Sequence, residues 1–205
     1  MKRVFSLVRV NTHHYKEDFV PLDGDIEKVD IVDKSIDNGI NPLMRLDYFL
    51  CGRAVHPENL PTKMKVVGAK HKLADYIRFR RRLICSDAFR EVVEQVEPGV
   101  HQFEPVELVW KNGATAGSYF FVVFCNRISA IDESLTHPPL VGPAKLWMPQ
   151  HKGEDRLVFS ADSVAQNHFF YNLGLEGYPL CSGEAHDALT NTELTGFRFD
   201  AAEVA

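Results

Sequence analysis

Nowhere in the 205 residues is there an apolar run of 18, so no helix long enough to span a bilayer is expected. The four cysteines, Cys51, Cys85, Cys125 and Cys181, are widely spread and form no C-x-x-C pair. That spacing argues against a zinc site or a disulfide framework and fits reduced thiols in a cytoplasmic protein. The sequence also lacks the G-x-S-x-G elbow, the G-x-x-x-x-G-K-[ST] phosphate loop, G-x-G-x-x-G and H-E-x-x-H. The commonest hydrolase, nucleotide-binding and metalloprotease sites therefore have no foothold. No low-complexity stretch divides the chain. The start, MKRVFSLVRV, is interrupted by Ser6 and Arg9 and reads as a first strand, not a signal peptide.

What remains is an ordinary soluble composition, 45% apolar and 25% charged, with enough apolar residues for a real core. Charge is unevenly spread. From Glu17 to Asp37 eight acids stand against Lys28 and Lys34, a net charge of −6 where the whole chain carries −5. The opposite pole is IRFRRRL, with Arg78, Arg80, Arg81 and Arg82. Either pole is explained by a solvated face or by a partner-facing patch. An acidic patch speeds encounter with a basic protein and repels nucleic acid. Four arginines in an acidic protein are too few to argue for DNA or RNA.

The secondary-structure reading is α+β, rich in β, with a mainly antiparallel sheet and two helices capped by serine. Strands are expected at residues 3–10 and near 45–51, in KMKVVG, in ADYIRFRRRLIC and in NHFFYNL. AKLWMP and RLVFS read as two more strands around a hairpin-like turn. SYFFVVFC is apolar throughout, the mark of a strand covered on both faces. One pattern occurs twice, 96 positions apart: Cys85, Ser86, Glu97, Phe103 and Glu107 fall on Cys181, Ser182, Glu193, Phe199 and Glu203. Each copy reads as strand, serine-headed helix, turn and strand. Internal duplication and chance recurrence of a small motif both account for five identities.

Candidate chemistry is sparse. His13 and His14 are adjacent, so on a strand their rings diverge, which is poor geometry for a metal. His168 reads as a strand-end or core histidine. No histidine stands at a telling position beside Ser86 or Ser182, so both serines are better explained as caps than as nucleophiles. Cys85 and Cys181 precede helices, where a thiol pKa falls, but each also closes an apolar strand. A cysteine-dependent enzyme is one alternative, and a homo-oligomeric structural protein another. Trp110, Tyr119, Trp147 and the Phe169–Tyr171 group are core residues or interface anchors. Trp147, next to Met148 and a polar turn, is the one expected to be partly exposed.

Several of these features recur together in a fixed order. Asp75 leads a strand, Ser86 heads a helix, and Phe103 and Pro105 open the next strand. An apolar strand then runs into Cys125, Asn126, Arg127 and Asp132, Ser182 heads a second helix, and Gly196 and Phe199 close the chain. Over residues 75–205 this order resembles immunity protein family eleven of the bacterial polymorphic toxin systems. The resemblance implies a domain at 75–205 with an acidic segment, 1–74, packed on it, or one continuous domain. It implies a protein that is not an enzyme and needs no cofactor. Its partner would be a cognate toxin, of the kind delivered by systems such as type VI secretion, with a homodimer also compatible. Metal ligands and catalytic residues are not implied. Charge and aromatic content then suggest Asp23, Asp25, Glu27, Asp30, Asp33 and Trp147 as the contact set.

Overall fold

Alternation along the chain becomes pairing in a computed structural model that describes residues 2–10, 18–36, 52–68, 70–150, 153–175 and 179–205. One sheet is built from β1 (Val4–Arg9), β8 (Asn126–Ile128), β9 (Val158–Phe159), β10 (Phe169–Asn172), β11 (Leu180–Ser182) and β12 (Phe197–Val204). Its spatial order is β8-β10-β11-β1-β12-β9. The second is built from β2 (Asp18–Pro21), β3 (Lys63–Val67), β4 (Tyr76–Phe79), β5 (Arg82–Ser86), β6 (Gln102–Val109) and β7 (Thr115–Val123). Its order is β2-β3-β6-β7-β5-β4. Among the described residues two α-helices, α1 (Asp87–Val96) and α2 (Gly183–Thr190), pack on the sheets and on each other.

The β-rich architecture with two helices agrees with the sequence reading, but the expected mainly antiparallel sheet is instead two mixed sheets. β10 pairs with β8, β12 with β9, and β3 with β6 in parallel. Parallel neighbours are joined by crossovers, not hairpins. Alternation shows which face of a strand is buried and is silent on the direction of its neighbour. The expected hairpin around residues 150–155 is also replaced. Among the described residues there only Val158–Phe159 is a strand, parallel to β12, and Val141 meets Leu146 in an isolated bridge. ADYIRFRRRLIC is not one long strand. It folds back at Arg80, whose φ of 51° begins the turn between β4 and β5. The strand expected near 45–51 lies outside the described residues, as do His13, His14 and Cys51.

Both helices begin at a serine. Ser86 Oγ accepts the Phe89 N–H at 3.2 Å, and Ser182 Oγ accepts the Ala185 N–H at 3.2 Å. Each satisfies one of the donors that a helix start leaves unpaired. The buried stripe is Phe89 and Val93 on α1, and Ala185 and Leu189 on α2. These enter a central cluster drawn from both sheets and both helices, with Leu7, Cys85, Val122, Phe124, Phe169 and Cys181. A second cluster covers the other face of the second sheet, and a third covers that of the first. β7 is buried from both sides: Tyr119 and Phe121 enter one cluster, while Val122 enters another.

Two polar joints tie the sheets together. Asp75, just before β4, accepts from Ser86 Oγ at 2.8 Å and from the Thr195 N–H and Oγ at 2.9 and 3.0 Å. Glu97, just after α1, accepts from the His168 and Phe169 N–H groups at 3.2 and 2.9 Å, at the start of β10. Buried and part-buried polar groups paired in this way fix one arrangement of the elements they join.

Candidate functional site

The acidic stretch lies along the second sheet as a stapled loop. Its apolar residues Ile26, Val29 and Ile31 are buried in that sheet's outer cluster. Alternating with them, its carboxylates face outward. Asp23 Oδ1 accepts the Thr62 and Lys63 N–H groups at 2.8 and 3.1 Å, and the Thr62 hydroxyl donates to Oδ2. The Thr62 hydroxyl, with those amides, holds the Asp23 carboxyl below its ordinary range. Asp25 caps the 3-10 turn Ile26–Lys28 and pairs with Lys28 at 3.1 Å. Glu27 pairs with Arg80. Asp30 accepts the Ile31 N–H at 2.9 Å and pairs with Lys34 at 2.5 Å. Asp33 accepts the Ser35 N–H and hydroxyl at 2.9 and 3.0 Å. Lys28 lowers the Asp25 pKa, Lys34 that of Asp30, and the Ser35 contacts that of Asp33.

Beneath this loop sits Arg53, 2% exposed. Its guanidinium donates to the Asp33 and Ser35 carbonyls and lies 3.5 Å from the Asp33 carboxylate. The carboxylates thus stay on the surface, but cations from distant parts of the chain, Arg53 and Arg80, join Lys28 and Lys34 around them. The count along the sequence overstates the bare negative charge, because these partners come from 20 and 53 positions away.

Trp147 is held by other elements. It is half-buried, with its indole N–H donating to the His137 carbonyl at 3.4 Å and its backbone N–H to the Gly174 carbonyl at 3.0 Å. That position is just beyond the end of β10 in the first sheet, whereas the acidic loop is anchored to residues 53–63 and Arg80. The six candidate residues form one stapled group of five and one separate aromatic. Met148 beside Trp147 is 59% exposed.

One arrangement was missed from the sequence. His168 Nδ1 lies 2.9 Å from Ser182 Oγ, so a histidine does stand beside that serine. The two are 14 positions apart, and only the pairing of β10 with β11 brings them together. They line a cavity of about 200 Å³ with Lys2, Arg3, Val164 and Glu184. Glu184 Oε2 lies 3.8 Å from the same Nδ1. In a nucleophilic triad the imidazole stands between serine and carboxylate, one ring nitrogen to each. Here both approach one nitrogen, and Ser182 Oγ is also the helix cap.

The two thiols that precede the helices are sealed. Cys85 and Cys181 are fully buried, and burial pushes the Cys181 thiol up to about 12 and the Cys85 thiol well above its ordinary value. The helix starts beside them do not offset this desolvation. Among the described residues no cluster of three or more His, Cys, Asp or Glu side chains is placed to hold a metal ion.

This is a β-rich α+β protein whose charged candidate site is an anchored surface loop. The sequence profile of the Immunity protein family (Imm11) matches residues 33–204, and the chain belongs to that family. No curated protein matches it.

Proposed function

We propose that this chain protects the cell that makes it by binding one cognate bacterial toxin in the cytosol, in a non-covalent complex. The observation that carries the reading is the family match over residues 33–204. The physical features support it. Tight association needs a surface that does not reorganise on binding, and the acidic loop is fixed by buried apolar residues below and hydrogen bonds within. Its outward ion pairs are exposed, with side-chain exposures of 44% for Asp25, 72% for Glu27 and 49% for Asp30. Exposed pairs of this kind are worth little and exchange easily, so a toxin's lysines and arginines can take the place of Lys28, Arg80 and Lys34. Asp23, Asp25, Glu27, Asp30 and Asp33 then steer encounter, while Trp147 is a separate apolar anchor. The free cysteines fit a reducing compartment.

The test is the triple reversal Asp25→Lys, Glu27→Lys and Asp30→Lys. With the circular dichroism spectrum unchanged, association with the toxin should slow by about tenfold or more at low salt. Unchanged association and unchanged protection would remove the loop from the interface and leave the family-level role standing. Loss of the complex between the unaltered chain and its toxin would remove the role itself.

A further inference from the structure

The two strand–helix–strand units repeat in sequence, and in space the repeat extends well beyond them. Across the second sheet, β4-β5-β7-β6-β3 pairs antiparallel three times and then parallel. Across the first, β10-β11-β1-β12-β9 does the same. The registers coincide as well. Cys85 faces Tyr76 on one side and Phe120 on the other, and its counterpart Cys181 faces Phe169 and Phe5. Phe103 faces Val122, and Phe199 faces Leu7. In the parallel pairs Glu107 faces Lys63, and Glu203 faces Val158. A slip of one residue would turn a strand inside out, so agreement of the pairings on both sides of β7 and β1 is a strong constraint.

The cores follow the same correspondence. Phe89 and Ala185, Val93 and Leu189, Tyr76 and Phe169, and Val122 and Leu7 are counterpart pairs within the central cluster. Met64, Ile84 and Leu108 in one outer cluster match Phe159, Leu180 and Val204 in the other. Even the helix starts agree. The Ser86 N–H donates to the Asp75 carbonyl at 2.9 Å, and the Ser182 N–H to the His168 carbonyl at 3.0 Å. The two serine hydroxyls then bond the side chains of those same two residues, at 2.8 and 2.9 Å.

One strand is out of order. β7 follows β6 directly, through residues 110–114. Its counterpart β1 does not follow β12 but comes ahead of β2, at the other end of the chain order. We propose that the molecule is two copies of one unit in tandem, five strands and one helix each, in which the last strand of the second copy is supplied from in front of the first. β1 is then a clasp. Among the described residues it alone joins β11 to β12 by hydrogen bonds, and it puts Val4 into one core and Leu7 into another. Residues at both ends of the sequence must meet before the first sheet is continuous. This inference goes beyond toxin binding and does not depend on it.

A circular permutant tests it. Residue 205 is joined to residue 2 through a loop copied from residues 110–116, which keeps the register of β6 and β7, and the chain is opened between Asn11 and Thr12, so that β12 and β1 become a hairpin like that of β6 and β7. The near-ultraviolet spectrum should match that of the parent, and the urea midpoint should be equal or higher. A lower midpoint or a lost spectrum would overturn the proposal, provided that hydrogen exchange in the unaltered chain agrees. There the amides of Phe5, Ser6 and Leu7 should be protected to within about tenfold of Phe120, Phe121 and Val122. Faster exchange than that would mean that β1 is a peripheral strand, and would overturn the proposal whatever the permutant does.

Discussion

Glu97 concentrates more hydrogen bonds than any other carboxylate described above. It is 7% exposed and accepts from the His168 and Phe169 amides, from Asn126 Nδ2 at 2.7 Å and from His101 Nε2 at 2.9 Å. The Cys125 N–H donates to His101 Nδ1 at 3.1 Å, which leaves Nε2 as the protonated nitrogen facing Glu97. Burial pushes the Glu97 pKa up, but the bonds from His101, Phe169 and His168 together outweigh it and hold the carboxyl below its ordinary value. The folded pKa is therefore below the unfolded one. The stability that this group contributes is present above about pH 4.3, the unfolded value, and is lost as pH falls through the folded pKa. Glu97→Gln should cost about 2–4 kcal/mol in urea unfolding at pH 7, since the amide nitrogen faces donors that it cannot satisfy. The variant should also lose less stability than the parent between about pH 5 and pH 3; an equal loss would show that Glu97 does not carry that acid sensitivity. Cys85 and Cys181 give a second residue-scale expectation. Under native conditions at neutral pH neither should react with an alkylating agent, and both should react once the protein is denatured, as peptide mapping can read. Rapid native modification of Cys181 would reopen the cysteine-dependent enzyme.

At the scale of elements, helix starts and tight turns carry the testable energetics. Ser182→Ala should cost about 1 kcal/mol as a lost cap, and Ser86→Ala about 2 kcal/mol because it also frees an Asp75 oxygen. Gly196 has φ 98° and an added Cβ would sit 2.3 Å from the Tyr76 carbonyl oxygen, so Gly196→Ala should cost about 3 kcal/mol or more. Gly113 has φ 81° with open space around it, so Gly113→Ala should cost only the strain, about 1 kcal/mol. Equal urea midpoints for the two variants would mean that the turn at Gly196 yields freely. Much of this level was legible in the sequence, because burial writes itself into alternation. β1, β3, β7 and β10 and both helices were readable, and β7 was readable as a strand covered on both sides. Strand direction was not, since β9 and β12 show the same apolar pattern whether they run parallel or antiparallel. The edge strand β2 was too short to register, whereas β9 is what remains of the strand expected at RLVFS. Among candidate site residues the acids were legible as a cluster. Their neutralising partners Arg53 and Arg80, and the meeting of His168 with Ser182, depend on chain pairing that no local pattern records.

For the whole molecule, the two sheets, their shared core and the joints at Asp75 and Glu97 give a scaffold whose surface can stay fixed while it binds. The candidate acidic loop packs on the second sheet, and Trp147 is bonded just beyond the end of β10 in the first. The acidic loop is partly neutralised by its own cations, so steering should weaken steeply with salt as the outer pairs and the partner are screened together. Association rates measured at about 20 and 300 mM salt should differ by roughly tenfold if the loop steers, and by far less if the interface is mainly apolar. The most direct measurement is a titration of this chain with the purified domain of the toxin proposed as its partner, paired with growth of cells that express that toxin with and without the chain. A saturable one-to-one complex at about 10 nM or tighter, together with restored growth, is the expected result. Two folded proteins that do not associate at micromolar concentration, with growth still arrested, would contradict the account.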